Sequence, residues 1–286
     1  MKQLQDIARS RNDMATIVQL TNAFEQLASM RIAQTKNKVL RAQEFFDELW
    51  NIYSQIRVDR LFRFGRRQTT AESTTKELYI VISAAGGFSG DIDNRLVAEV
   101  MKTYKPANND IIVIGRHGAR LLREQGVDYA KYFTLPESDN YINVEPLVRE
   151  IRRYPSTVVY YQAYESFLIQ SIKRIELISI VKELSERSGS TVTDTINEHT
   201  YIFEPGTYEV IAYLERSMVQ ITLSQLIFDS KLAQYASRFK AMNLAYERAD
   251  NSLGELDMLY KRTRRSLRDE RLKEVVNGLK KAGATL

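Results

Sequence analysis

From Met218 to Leu267 apolar residues return at alternating intervals of three and four. The stripe runs Met218, Ile221, Phe228, Leu232, Tyr235, Phe239, Met242, Tyr246, Ala249, Leu253, Leu256, Tyr260 and Leu267, with Gln225 and Thr263 as its polar members. This interval is the seam of a coiled coil, in which two helices bury matching stripes against each other. No proline interrupts the run, and its one glycine, Gly254, lies off the stripe. At ~1.5 Å per residue such a helix reaches roughly 75 Å, more than a small domain is wide. It is therefore expected to project as a shaft.

The N-terminal segment keeps the same spacing through Leu4, Ile7, Met14, Val18, Ala28, Ile32, Val39, Ala42, Phe46, Leu49, Tyr53 and Ile56. Arg11, Thr21, Glu25 and Thr35 are polar residues on that frame, and a second stripe of Ile17, Leu20, Phe24 and Leu27 lies beside it. Two long amphipathic helices at opposite ends of one chain pack most simply on each other, antiparallel or nearly so. The alternative is that each zips with another molecule.

Between the helices the period changes. Gln68–Lys76 is a polar, Ser/Thr-rich linker. Glu77–Ser83 (ELYIVIS) has the pattern of a buried strand and runs into Ala84–Gly90 (AAGGFSG). A helix is expected over Asp91–Tyr104 with Asp91 as its cap, then a strand over Asp110–Ile114 that ends at Gly115-Arg116-His117-Gly118. Further helices are expected over Ala119–Gln125 and Val144–Tyr154. Further strands are expected near Tyr132–Leu135, over Thr157–Tyr161 and over Ser171–Ile180. Strands alternating with helices indicate a parallel or mostly parallel sheet in a small α/β domain. The expected division is 1–67 as N-terminal shaft helix, 68–200 as α/β domain and 201–286 as C-terminal shaft helix.

Composition narrows the chemistry. The 286 residues include no cysteine and only two histidines, His117 and His199. Disulfides, thiolate metal sites and thiol redox switches are therefore excluded, and a His-based metal cluster is not expected. No apolar run is long enough for a membrane span, and the polar N-terminus is unlike a signal peptide. The net charge of +5 is modest, but basic residues crowd Arg57–Arg67 and Lys261–Lys273. Each run reads either as a solvated helix face or as a contact for an acidic protein or nucleic acid.

The two glycine turns follow strands and open helices, where backbone N–H groups can hold phosphate. Neither GGFSGD nor GRHG is a P-loop, and Gly86, Gly87 and Gly90 do not have dinucleotide spacing. Close packing of helix on strand accounts for such glycines without a ligand. Asp91 and Asp93 could form a cation site, although capping explains Asp91 better, and His117 reads as a surface or turn residue. No nucleophile with an oriented base is present, so the residues give no sign of catalysis, and no cofactor is expected.

The ordered set of motifs resembles the gamma subunit of F-type ATP synthases, the central rotor stalk. Arg238, Ala241 and Met242 in ASRFKAM (Ala236–Met242) stand where the family has ARMxAM. The stretch from Leu256 through Tyr260-Lys261-Arg262-Thr263-Arg264 to Leu272, Glu274, Val275, Val276 and Gly278 is similar to its LxLxYNKARQAxITQELxEIVxG. Leu20–Phe24 with Leu27–Ile32 resembles ITKAMxMVAASKL, Leu40–Gln43 resembles LRxAQ, Ile114–Gly118 resembles IGRKG, and Tyr201–Pro205 resembles YxFEP. There are departures. The family's SDRGLCGGFN keeps only Ser83, Gly86 and Gly90, Phe24 replaces a methionine, an Arg-Gln pair reads Arg264-Arg265, and Lys280-Lys281 interrupts small apolar last turns. This pattern suggests a divergent member or an F1-like paralogue.

The resemblance implies an α/β protein with a long antiparallel coiled coil, a Rossmann-like foot being inserted between the two shaft helices. It implies a non-catalytic subunit, present once per complex, turning inside a ring of three alpha and three beta subunits. Catalysis would lie on beta, with an epsilon subunit and a membrane c-ring as further partners and no nucleic acid. Ring contacts fall by match on Phe24, Arg264, Arg265, Arg268, Leu272, Val275, Val276 and Leu279. Foot contacts, to epsilon or the membrane ring, fall on Tyr201, Phe203, Glu204, Ser83, Gly86 and Gly90. The implied location is peripheral, on the cytoplasmic face of the cell membrane. The competing readings are a coiled-coil adaptor, which does not explain the ordered motifs, and an α/β enzyme, which lacks a phosphate cradle.

Overall fold

The computed structural model describes residues 2–55, 74–134, 142–177, 204 and 206–283. Clustering of the backbone divides the chain into two compact units, Ala28–Arg238 and Met1–Leu27 with Phe239–Leu286. Both boundaries fall inside the two long helices, α1 (Lys2–Gln55) and α5 (Thr207–Gly283), rather than in the linkers between elements.

The larger unit is built on a five-stranded sheet. Its strands are β1 (Glu77–Ile82), β2 (Asn109–Ile114), β3 (Lys131–Phe133), β4 (Thr157–Tyr164) and β5 (Gln170–Glu176), in the order β3-β2-β1-β4-β5. The first four are parallel, and β5 returns antiparallel on β4. A short turn suffices for that last pair, whereas the parallel strands need crossovers. The crossover helices are α2 (Ile92–Thr103), α3 (Arg116–Glu124) and α4 (Glu145–Ile151).

The strands are nearly continuous in hydrophobic residues because both sheet faces are covered. Tyr79, Val81, Ile111, Val113, Val158 and Tyr160 pack with Leu96, Val97, Val100, Ala119 and Leu122 of α2 and α3. Their neighbours Leu78, Ile80, Ile82, Ile112, Ile114, Val159 and Tyr161 pack with Leu147, Val148 and Ile151 of α4 and with Leu223, Leu226 and Ile227 of α5. The first stretch of α5 is thus an element of the sheet's second layer as well as a partner of α1. On the α1 side, Phe46 and Met218 form a small fully buried cluster with Leu49, Trp50, Tyr53 and Ile221. The Tyr53 hydroxyl donates to Glu215 Oε1 at 3.2 Å. Burial raises the pKa of both groups, the tyrosine's further through the adjacent carboxylate.

In the smaller unit the two helices run antiparallel. Arg11 meets Asp257 at 3.4 Å and lies 5.0 Å from the centre of the Tyr260 ring, while Glu25 Oε1 accepts from Asn243 Nδ2 at 3.3 Å. Moving fourteen residues up α1, from 11 to 25, moves the partner fourteen down α5, from 257 to 243. Three of the four polar members of the α1 frame are thereby accommodated. Arg11 and Glu25 reach partners across the pair, and the Thr21 hydroxyl bonds back to the Ile17 and Val18 carbonyls. Frame positions 4, 7, 11, 14, 18, 21 and 25 are all shielded, whereas Ile17, Leu20, Phe24 and Leu27 of the second stripe are exposed.

Two polar groups inside the larger unit lower its stability. Thr35 is fully buried on the α1 frame and its hydroxyl has no hydrogen-bond partner. Thr35→Val is expected to stabilise the chain by about 1 kcal/mol, because it removes an unsatisfied hydroxyl at constant shape. A fall in melting temperature would contradict that. Burial also pushes the Asp229 carboxyl up from 3.8 to about 6, against smaller opposing effects of a Tyr164 backbone hydrogen bond and Lys173. A carboxyl raised on folding costs nothing below its unfolded pKa, and its penalty grows as pH rises through the folded value. Asp229→Asn is therefore expected to stabilise the chain by about 2–3 kcal/mol above pH ~7, with a gain that fades towards pH ~4. Thermal unfolding across that range is the check.

Candidate functional site

The residues implied as ring contacts lie on the helices. Arg264, Arg265 and Arg268 are exposed on α5. They belong to the stretch Lys261–Lys273, with seven basic residues against two acidic ones, and none of the three has an ion-pair partner among the described residues. Every residue from 268 to 280 is exposed. Counted on from the Arg11–Asp257 pair, the described part of α1 lies opposite α5 only as far as about residue 266. Within those turns Leu272, Val275, Val276 and Leu279 are 58%, 59%, 47% and 68% exposed. Their spacing of i, i+3, i+4 and i+7 sets them along one face of the helix.

The foot residues divide. Tyr201 and Phe203 lie outside the described residues, and Glu204 is exposed. Gly90 has φ 64°, a left-handed position natural to glycine. Ser83 is fully buried, which corrects its expected role as a contact. Its hydroxyl accepts from the Gly118 N–H at 3.0 Å and faces the Ile114 and Gly115 carbonyls at 3.0 and 3.1 Å. A Cβ on Gly118 would come within 2.5 Å of that hydroxyl. One on Gly115, at φ 100°, would come within 2.1 Å of the Ser83 carbonyl oxygen. The glycines of GRHG thus serve to bring the start of α3 against the end of β1.

His117 also departs from expectation. It is not a free surface residue: its Nδ1 lies 2.6 Å from Oδ2 of the fully buried Asp93. Arg120 donates to Nε2 at 3.1 Å, which leaves the proton on Nδ1 to be given to Asp93. Asp93 Oδ1 also accepts from the Ala84 N–H at 3.2 Å and from Gln162 Nε2 at 2.7 Å. Gln162 Oε1 in turn accepts from Ser230 Oγ at 2.5 Å and Gln234 Nε2 at 2.9 Å, both on α5. Close by, Ser237 Oγ donates to the Ser89 carbonyl at 2.7 Å. Burial lowers the Arg238 pKa, while Tyr235 and Asp93 act to keep the guanidinium charged.

This network lies where the sheet topology would place a ligand. With strand order β3-β2-β1-β4-β5, the connections reverse direction between β1 and β4. Ligands of open α/β sheets bind in the crevice outside the carboxyl ends of such a pair. Here that place is filled by Asp93, Gln162, Ser230 and Gln234, all at least nine-tenths buried. Asp91 starts α2 without a side-chain capping bond. Among the described residues no group of three or more His, Asp or Glu side chains is placed to hold a metal ion, and no helix is long and apolar enough to cross a membrane.

Comparison with known proteins accounts for this combination of surfaces. The family model described as ATP synthase matches residues 3–281. The chain belongs to the gamma-subunit family of ATP synthases. The gamma chain of Mycoplasmoides gallisepticum is 25% identical over 297 residues, covering 98% of this chain and 100% of the relative. That of Exiguobacterium sibiricum is 22% identical, covering 97% and 98%. The fold is also that of a chain in the rotor of the Euglena gracilis mitochondrial ATP synthase, with a TM-score of 0.62, 14% identity and coverage of 93% and 99%. A chain in the Tetrahymena thermophila central stalk and c-ring structure gives 0.57 at 16% identity, covering 79% and 99%. As a gamma subunit the protein is the non-catalytic central stalk of an F-type ATP synthase, a peripheral part of a membrane complex. Family membership over nearly the whole length sets the free adaptor reading aside.

If the gamma subunit's glycines serve packing rather than a ligand, their substitution costs must follow the local space. Gly115→Ala is expected to lose about 2–4 kcal/mol, through a strained φ and a backbone clash. Gly87→Ala, with nothing within 4 Å of its added Cβ, is expected to be nearly neutral. Denaturant unfolding of the two variants checks this, and a large loss at Gly87 would point back to a ligand role.

Proposed function

We propose that the exposed surfaces of the two helices are the working faces of a rotor within an alpha–beta ring. The observation that carries this reading is the stripe Leu272, Val275, Val276 and Leu279 on turns of α5 exposed all round. An apolar helical stripe in water is unfavourable and fits an enclosing apolar bearing. The Ile17–Leu27 stripe, with Phe24, meets the ring along α1. Arg264, Arg265 and Arg268 face acidic loops of beta, an attraction that is long-ranged and tolerant of rotation. Exposed single pairs of this kind contribute only ~0–1 kcal/mol, so they shape the rotary energy profile rather than hold the complex together.

At the foot, Glu204, Gly86 and Gly90, with Tyr201 and Phe203, contact epsilon or the membrane c-ring. One copy serves each complex, on the cytoplasmic face of the cell membrane. The solved relatives of this fold include one in a complex described as central stalk and c-ring, which supports that assembly.

Reversing charge at both Arg264 and Arg265, to Glu, is expected to change ATPase rate or torque while the complex still assembles. The check is ATP hydrolysis and single-molecule rotation beside subunit composition on gel filtration. Loss of the assembled complex would refute a role confined to torque.

A further inference from the structure

Resting on the rotor reading, we propose that the buried chain Asp93–Gln162–Ser230–Gln234 is the key that fixes the angular position of α5 against the sheet, so that torque carried along the helix reaches the α/β domain without slip. Apolar contacts alone cannot supply this. Leu223, Leu226 and Ile227 anchor α5 to the sheet, but hydrophobic attraction is non-directional and survives small rotations of a helix over a smooth surface. Hydrogen bonds do not, because they weaken steeply once their angles are lost.

The chain of bonds is fully directed. His117 and Gln162 donate to Asp93, so the Gln162 carbonyl must point the other way, towards α5, where Ser230 and Gln234 donate to it. Gln234 also donates to Ser230 Oγ at 3.0 Å, which ties the two α5 residues, one turn apart, into a single acceptor-facing pair. Rotating or sliding α5 by one residue would carry both away from Gln162 and strand its carbonyl at a position with no exposure to water. Two further contacts act at a distance along the helix. Ser237 grips the Ser89 carbonyl, and Gln220 Nε2 donates to Glu145 Oε2 of α4. Gln162 is thus a positioning residue: it touches no partner subunit and acts through the helix it holds.

The test uses the assembled complex with its ring immobilised. The chain has no cysteine, so Asn94→Cys on the exposed side of α2 takes a single optical probe. The angular spread of the paused probe is compared between the otherwise unsubstituted chain and Gln162→Met/Ser230→Ala/Gln234→Leu, which replaces the polar contact by an apolar one. The spread is expected to widen about twofold, with ATP hydrolysis by the complex unchanged. Leu226→Ala, which weakens the same interface but leaves the key, is expected to lower the melting temperature without widening the spread.

An unchanged spread in the triple variant overturns the proposal, as does equal widening in Leu226→Ala. Should the triple variant fail to fold, Ser230→Ala/Gln234→Leu is read in the same way, and an unchanged spread there overturns it equally. Failure of the unsubstituted chain to assemble with alpha and beta would instead sink the rotor reading, and the proposal with it.

Discussion

A helix can bury only as many faces as it has neighbours, and α5 changes its neighbours along its length. Over its first stretch, to Arg238, it lies against both α1 and the sheet, and residues well off the seam are buried: Thr222, Leu223, Ile227, Ser230, Ala233 and Gln234. From Phe239 it keeps a single shielded stripe, facing α1, and from Arg268 it keeps none. These three regimes set the rest of the structure. The first makes one compact unit of sheet and helices, the second gives the antiparallel pair, and the third exposes a face that water does not favour.

The second regime shows how a stiff pair tolerates polar residues on its seam. Arg11 and Glu25 would each be costly if left alone, yet each meets a partner fourteen residues apart on both helices, in opposite senses. Such contacts add little energy but penalise every other register, much as a polar residue in a coiled-coil core fixes alignment at some cost in stability. In the first regime the same logic operates through Gln162, and there it also closes the crevice in which an α/β enzyme would hold its ligand. A fold shared with many nucleotide-binding proteins is thus converted into a mechanical part by what one helix inserts between β1 and β4.

Much of this was legible in the sequence because it depends on period. Every described position of the α1 frame, from Leu4 to Tyr53, is shielded, and every described α5 seam position is at least half-buried. The strands were readable as short β-branched runs, although the described part of β5 is Gln170–Glu176, with 178–180 outside the described residues, and α3 begins at Arg116 rather than Ala119. What could not be read was polar burial. Gln162, Ser230 and Gln234 have the composition of surface residues, and their partners are separated by 68 to 72 positions along the chain. Asp93 beside Asp91 suggested a cation, and His117 a turn, because the bond between them crosses from one helix to another. The one available signal was negative: Ser230 and Gln234 fall in a stretch where α5 is too apolar off its seam to have a solvated face. The unit boundaries were hidden for the same reason, since they lie within helices whose sequence pattern does not break.

The central claim, that this chain is a central stalk turning within a ring, is tested most directly by isolating it from its own cells through an affinity tag and weighing the intact complex by native mass spectrometry. One copy of the chain is expected with three alpha and three beta subunits and an epsilon subunit. A complex with two or more copies of the chain, or the chain alone, would contradict it.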